Sequence, residues 1–207
     1  MRGRWIALLA LTAAVGQVHA EPPRWSAGAT LGAAHSSLGG ADPAASGGGF
    51  GFVVGPRASF VVLPWLSLAA ELVYVHRQIG FADGVYSDWR GELDLTRFDL
   101  PVVARFHTPT APVSGFVLAG GGVAFGASAS HPVSDEGGEP EVDVSGTDLF
   151  LDAGLGACWQ RASMIWSLDL RYRHGLGTLD PESPGLDIRV HTVLLEAALE
   201  WTLQQSR

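Results

Sequence analysis

Residues 166–173, WSLDLRYR, alternate strictly between apolar and polar side chains. One set is Trp166, Leu168, Leu170 and Tyr172, and the other is Ser167, Asp169, Arg171 and Arg173. A period of two predicts a β-strand, because successive side chains of a strand point to opposite faces. Such a strand has one apolar face and one charged face. A fold that contains this strand must place the apolar face in an apolar environment and the charged face against water or other polar groups.

Seven further segments show the same alternation with residues that favour strands. Together the eight segments are residues 24–34, 50–62, 66–78, 92–106, 113–127, 146–160, 163–174 and 188–203. Each reaches the length of about 9–11 residues that a tilted strand needs to cross a membrane. The 27 glycines weaken a helical interpretation, since glycine destabilises helix interiors. The sequence therefore predicts an all-β fold of eight strands.

The predicted connections alternate between short and long. The short ones are 63–65, 107–112 and 161–162, and the long ones are 35–49, 79–91, 128–145 and 175–187. Short turns at one end and long loops at the other are typical of bacterial outer-membrane barrels. We therefore predict an eight-stranded antiparallel up-and-down transmembrane β-barrel. Its even number of strands places both termini on the short-turn, periplasmic side.

The first twenty residues are typical of a secretory signal peptide. The apolar stretch 5–15 follows two arginines and precedes VHA, a motif suited to cleavage. It is shorter than the about 20 apolar residues of a membrane-spanning helix, although an uncleaved anchor is the alternative. We predict a signal peptide at 1–20 and one barrel domain at 21–207. We expect the protein in the outer membrane of a Gram-negative bacterium.

The composition narrows the class of protein. Charged residues make up 16% of the chain, against roughly 25% in ordinary globular domains, and the mean hydropathy is +0.20. The formal net charge of −8 argues against nucleic-acid binding, which requires a positive face. Cys158 is the only cysteine, so the chain forms no internal disulfide. We expect this thiol to be buried rather than nucleophilic.

The polar set of each strand combines small residues with a few arginines and carboxylates. This mixture suits the interior of an eight-stranded barrel, which side chains can just fill. The predicted interior charges are Arg57, Glu71, Arg97, Asp99, Arg105, Asp148, Asp152, Asp169, Arg171, Arg173, Glu196 and Glu200. Their signs nearly balance, and buried charges need partners. We predict a plugged lumen in which these charges have a structural role, with a solute pathway as the alternative.

Large aromatic residues concentrate near the short-turn end of the predicted strands. They are Trp25, Trp65, Phe106, Trp159, Trp166 and Trp201. Outer-membrane barrels carry aromatic girdles where the membrane meets water. We predict that these residues form the periplasmic girdle, and that the apolar face of each strand contacts outer-membrane lipid.

Five segments are similar to those of a known family: LSLAAELVYV, FDLPVVARF, GFVLAGGGVAFG, LDAGLGACW and LDLRYRHGLGTL. On them, the chain resembles the small outer-membrane β-barrel domain family, which includes PorT-like and OmpA/OmpX-like eight-stranded barrels. Glu71, Asp99 and Pro101 match family positions. The resemblance implies that periplasmic chaperones and the barrel assembly machinery act on this chain. TLQQSR follows Trp201 where many such barrels end in an aromatic residue, so two interpretations are open: an insertion signal displaced inward along the chain, or a different insertion route.

Pro101 predicts a bulge or a local break in the barrel, because proline has no N–H to donate to a neighbouring strand.

The sequence contains no nucleophile elbow, phosphate-binding loop or zinc motif. We therefore predict no catalytic, cofactor or metal site, and a protein that is not an enzyme. The expected role is structural or surface interaction: envelope integrity, adhesion or resistance, with the long loops available to an extracellular partner. The alternatives are a narrow channel for small solutes, a lipid A-modifying enzyme and a soluble, lipocalin-like barrel.

Two groups of ligand-type residues lie toward the long-loop end. The acidic residues of 135–143 are expected to form a solvated loop rather than a calcium site. The histidines are His35, His76, His131, His174 and His191. A metal-binding or pH-responsive cluster is one interpretation of these histidines, but the alternation alone does not bring them together. His107 falls in a short turn and is expected to be exposed.

Overall fold

The computed structural model describes residues 25–40, 47–81, 92–108, 113–130, 146–177 and 188–203. The predicted signal peptide at 1–20, the acidic segment 135–143 and His131 lie outside the described residues. Within the described ranges, no helix is long and apolar enough to cross a membrane.

The described elements are β-strands, and each of the eight predicted segments forms one. They are β1 (Trp25–Gly40), β2 (Gly47–Leu63), β3 in two segments (Leu66–Glu71 and Val73–Phe81), β4 (Glu92–His107), β5 (Val113–Ser130), β6 (Asp148–Arg161), β7 (Met164–Gly175) and β8 (Ile188–Leu203).

Several strands run further toward the long-loop end than predicted. The stretches 35–40, 47–49 and 128–130 are rich in glycine, serine and alanine, and the sequence alone predicts loops there. The pairing with neighbouring strands nevertheless continues through them, with Ser37 opposite both Gly48 and His191. Strand formation depends more on the partner strand than on intrinsic propensity, so these residues extend the barrel.

Each strand pairs antiparallel with its neighbour in the sequence, and β1 also pairs with β8. Trp25 thus lies opposite Phe60 on one side and Leu203 on the other. This double pairing of β1 closes the sheet on itself, so the backbone of no strand forms a free edge. The structure confirms the predicted closed, eight-stranded antiparallel barrel.

Two irregularities of the described strands have a clear local cause. In β3 the pairing with β4 breaks at Leu72, whose N–H bonds to the carbonyl of Pro56 at 3.1 Å. Pro101 of β4 lies opposite this break, where it offers no N–H to β3. Between β4 and β5 the register shifts near Gly126, whose φ of 62° is typical of the extra residue in a glycine bulge.

Alternate residues of each strand point into the lumen, which side chains fill. Besides charged groups, the lumen contains two apolar clusters that the polar interpretation of the interior did not predict. One comprises Ala34, Val53, Val73, Val75 and Leu194, and the other comprises Ala69, Val103, Phe116 and Leu118. Glycine makes room for the larger groups: a Cβ on Gly122 would lie 2.7 Å from Cζ of Phe150. The lumen is therefore a packed core.

The outer face of the barrel is apolar. Large hydrophobic side chains there are strongly exposed, as with Leu31 at 62% and Leu155 at 60%, and they occur on every strand. Charged side chains are buried instead, which is the reverse of the arrangement in soluble proteins.

Candidate functional site in the barrel lumen

The charged side chains of the lumen form two clusters with no ion pair between them among the described residues. The turn-side cluster, nearer the short turns, comprises Arg57, Glu71, Arg105, Asp169, Arg171, Glu196 and Glu200. The loop-side cluster, nearer the long loops, comprises Arg77, Arg97, Asp99, Asp148, Asp152 and Arg173.

Arg171 is at the centre of the turn-side cluster. Its Nη1 and Nη2 donate to the two carboxylate oxygens of Glu71 at 3.1 and 2.7 Å. Its Nη2 also lies 2.6 Å from Oδ2 of Asp169, and its Nε lies 2.9 Å from Oε2 of Glu196. Since β3 and β7 are separated by three strands in either direction, the Arg171–Glu71 pair crosses the full width of the lumen.

Two further arginines complete the turn-side cluster. Arg57 places Nε 3.2 Å from Oε1 of Glu200 and 3.4 Å from Oε1 of Glu71. Arg105 places Nη2 3.2 Å from Oδ2 of Asp169. Ser26 donates to the other oxygen of Glu200 at 2.7 Å. Three arginines thus face four carboxylates, and each arginine has a carboxylate oxygen within 3.2 Å.

The loop-side cluster has fewer carboxylates for its arginines. Arg173 forms a bidentate pair with Asp152, both distances being 2.8 Å, and its Nη1 also donates to Oδ2 of Asp99. The guanidinium carbon of Arg173 lies 3.8 Å from the ring centre of Phe150, a cation–π arrangement. Arg97 donates from Nη2 to the same Oδ2 of Asp99 at 3.5 Å, and its Nε lies 2.8 Å from Oδ1.

The structure places eleven of the twelve predicted interior charges among the buried residues. Asp148 is the exception, with its side chain 30% exposed. Arg77 is also fully buried, although it was not among the predicted interior charges. Arg77 lies in the predicted strand 66–78, six residues beyond Glu71. An even spacing places both residues on the same face of a strand, so the alternation alone was enough to predict that Arg77 points inward.

The six predicted girdle residues lie on the outer face at the short-turn end, and all are half-exposed. Trp159 and Trp166 are direct cross-strand partners. The rings of Trp65 and Phe106 stack at 6.2 Å between centres. These contacts extend an aromatic surface over neighbouring strands.

The structure brings two of the predicted histidines together. His174 and His191 stack as cross-strand partners with their Nδ1 atoms 3.1 Å apart, and Tyr172 lies 2.9 Å from Nδ1 of His191. His35 instead packs on a phenylalanine, and His76 bonds to a threonine. Among the described residues, no group of three or more histidine, cysteine, aspartate or glutamate side chains could hold a metal ion.

His107 was expected to be exposed in a turn, and the structure corrects this prediction. His107 ends β4 and is partly buried, because its ring packs against the buried ring of Phe116 with 5.5 Å between centres. Its Nε2 lies 2.7 Å from Oγ of Ser67, and its Nδ1 lies 3.9 Å from Sγ of Cys158. Cys158, expected to be buried, is only partly so.

Comparisons with known proteins identify the fold. No family model matches the chain, and no curated protein matches it. The solved structure of Neisserial surface protein A is 16% identical, covers 88% of this chain and 100% of its own, and superposes with a TM-score of 0.55. Ail of Yersinia pestis is 16% identical over 86% of this chain and 99% of its own, with a TM-score of 0.47. OprG of Pseudomonas aeruginosa is 8% identical over 88% and 96%, with a TM-score of 0.41.

The predicted resemblance is therefore confirmed at the level of fold: the chain has the architecture of the small eight-stranded outer-membrane β-barrels. The resemblance to PorT-like barrels in particular stays a prediction.

Proposed function

We propose that this barrel is an integral outer-membrane protein of a Gram-negative bacterium, with a closed lumen and a structural or surface-interaction role. The observation that carries the proposal is the inverted distribution of polarity. In the described part of the chain, twelve charged side chains are buried inside the barrel, while its outside is covered by exposed leucine, valine and phenylalanine. Soluble monomers rarely expose contiguous apolar patches larger than a few hundred Å², whereas a bilayer requires such a surface.

The aromatic residues support the same orientation in the membrane. Indole rings prefer the interface between lipid and water, because each has an apolar body and one polar N–H group. Five of the seven tryptophans lie on the outer face around the short-turn end. Outer-membrane lipid is thus the proposed partner of the outer face, with the short turns on the periplasmic side.

The packing of the lumen supports a role other than conduction. The Arg171–Glu71 pair crosses the barrel, and apolar clusters fill the space around the charged groups. Opening a path would break several buried ion pairs at once, each costly to leave half-satisfied. The proposed role is also non-enzymatic, and the predicted long loops are the proposed surface for an extracellular partner.

Cell fractionation with heat-modifiable gel mobility tests the membrane assignment. We expect the protein in the outer-membrane fraction, requiring detergent for extraction and migrating faster unheated than boiled. Recovery as a detergent-free, soluble monomer would contradict the proposal.

Planar-bilayer recording tests the closed lumen. We expect no stable conductance from the purified barrel, and reproducible single-channel openings would favour the narrow channel instead. Mass analysis of lipid A from cells with and without the gene tests the absence of enzymatic activity, and we expect identical spectra.

A further inference from the structure

Arg77 is a buried cation without an adequate partner among the residues that the structure describes. Its side chain is completely buried, yet none of its three guanidinium nitrogens has a hydrogen-bond acceptor among the described residues. The nearest ion-pair contact joins Nη2 to Oδ2 of Asp99 at 3.9 Å. No other buried arginine has all three nitrogens in this condition within the part of the chain that the structure describes.

Asp99 cannot compensate Arg77, because other arginines already occupy it. Its Oδ1 lies 2.8 Å from Nε of Arg97, and its Oδ2 accepts a hydrogen bond from Arg173. The other buried carboxylate of the loop-side cluster, Asp152, forms the bidentate pair with Arg173. Three arginines therefore share two fully buried carboxylates.

Asp148 is the third carboxylate of the cluster, and its geometry directs it elsewhere. Its Oδ1 accepts the backbone N–H of Gly177 at 2.8 Å, and its Oδ2 is 3.9 Å from Nη1 of Arg97. Its side chain is also 30% exposed, so water screens its charge. The buried part of the loop-side cluster thus retains an excess of positive charge.

Arg77 and Arg97 lie side by side in the loop-side cluster. On the inward face of β3 and β4, Val75 pairs with Arg97 and Arg77 pairs with Leu95, so the two arginines are diagonal neighbours. Two neighbouring cations repel, and Asp99, the carboxylate within ion-pair distance of both, is shared with Arg173 as well. A guanidinium group offers a planar fork of N–H donors that matches an oxyanion in bidentate geometry.

We propose that the loop-side cluster binds a small oxyanion of the phosphate class, held chiefly by Arg77 with Arg97 beside it. The anion enters from the long-loop end, where the side chain of Asp148 is 30% exposed and that of Arg97 is 9% exposed. The turn-side cluster offers no equivalent site, because each of its arginines has a carboxylate oxygen within 3.2 Å. The apolar clusters and the turn-side cluster fill the rest of the lumen, so binding does not require conduction.

The test measures urea unfolding of the refolded, detergent-solubilised barrel by tryptophan fluorescence, at constant ionic strength, with inorganic phosphate replacing chloride. A ligand that binds only the folded state raises the unfolding midpoint as its concentration increases. We expect this rise in the wild type. We expect Arg77→Met to abolish it and to weaken phosphate binding by about tenfold or more in calorimetry, since a charge-assisted bidentate contact is lost.

Arg161→Met is the matched control. Arg161 is an exposed arginine at the end of β6, so its loss changes the net charge equally but should leave the phosphate response intact. Without phosphate, Arg77→Met should be at least as stable as the wild type, because it removes an uncompensated buried cation.

Two results would overturn the proposal: no shift in the wild-type midpoint, or an equal shift in the wild type and in both variants. If Arg77→Met does not refold, the wild-type titration still decides, and Arg77→Lys should give a weaker response than the wild type. The measurement uses refolded protein, so its outcome is independent of the proposed membrane location and closed lumen.

Discussion

Arg171 shows how one side chain can hold several strands in a fixed relation. Its guanidinium group contacts carboxylates from β3, β7 and β8, at distances of 2.6 to 2.9 Å. A buried ion pair adds little net stability over a well-packed apolar pair, but removing one partner leaves an uncompensated charge. Replacing Arg171 should therefore lower the free energy of unfolding mainly through the buried carboxylates that remain without a cation.

Arg171→Met should destabilise the barrel by ~3–5 kcal/mol, because buried carboxylates lose their shared cation while the volume is largely kept. Urea unfolding in detergent measures the change. Adding Glu71→Gln should recover part of the loss, since one unpaired charge is then removed. An unfolding midpoint equal to that of the wild type would show that water already solvates Arg171.

Asp99 and Asp152 provide a second comparison within one cluster. Asp99 lies within ion-pair distance of Arg77, Arg97 and Arg173, whereas Asp152 pairs, within the described ranges, with Arg173 alone. Asp99→Asn should therefore lower the free energy of unfolding more than Asp152→Asn, because it leaves more positive charge without a counter-ion. Parallel urea titrations of the two variants measure the difference, and the reverse order would contradict the assigned pairing.

At this scale, sequence alternation predicts which charges point inward but not which charges meet. The parity of β7 predicts Asp169, Arg171 and Arg173 on one face. The pairing of Arg171 with Glu71 depends on the stagger of strands on opposite sides of the barrel, which no local pattern contains. Arg77 was missed because it lies near the end of a predicted strand, where the boundary is least certain.

At the scale of single strands, the break in β3 shows how proline residues interrupt the hydrogen bonding between neighbouring strands. Pro56 and Pro101 lie on either side of the break in β3, and Leu72 at the break bonds to the carbonyl of Pro56. The proline supplied a predictable cause for such a break. That the break occurs in β3, the neighbour of the strand that contains Pro101, became known only from the register of the pairing.

The bulge at Gly126 allows a test of how much its backbone conformation depends on glycine. A Cβ there would meet its nearest atom, Cδ2 of Phe98, at 3.7 Å, so there is space for a side chain. The φ of 62° is nevertheless unfavourable for residues other than glycine. Gly126→Ala should therefore destabilise the barrel by about 1 kcal/mol through backbone strain alone.

Gly146→Ala is the control for that change, because a Cβ at Gly146 meets nothing within 4 Å and its φ is not positive. Urea unfolding should separate the two variants. Equal stability of both would show that the bulge relaxes without cost.

In the whole molecule the outer face is apolar and the interior is charged, the reverse of a soluble protein. A charged residue introduced on the outer face should therefore destabilise the barrel. Leu155 is 60% exposed near the middle of β6. Leu155→Arg should destabilise the barrel by ~2–4 kcal/mol in lipid vesicles, since a charge at mid-bilayer depth loses its hydration. Leu203→Arg, on the outer face at the turn end of β8, should cost about 0–1 kcal/mol. Equal costs at both depths would place the barrel outside a bilayer.

The sequence allowed a more complete prediction of the overall architecture than of the packing inside the barrel. Eight alternating segments and sorted connection lengths were sufficient for the strand number and the closed topology. The apolar clusters of the lumen were not predicted, because Val53 and Val73 lie in continuous apolar runs where alternation cannot assign a face.

The pairing of β1 with β8 has a consequence for the order in which the molecule can form. Every other pairing joins strands adjacent in the sequence, whereas this seam joins Ser26 to Glu200 across 174 positions. Hairpins can form locally and early, but closing so long a loop costs entropy before any contact compensates it. The seam therefore closes last. Until it closes, the chain presents two unsatisfied strand edges to its surroundings, and this interval is when it most needs protection.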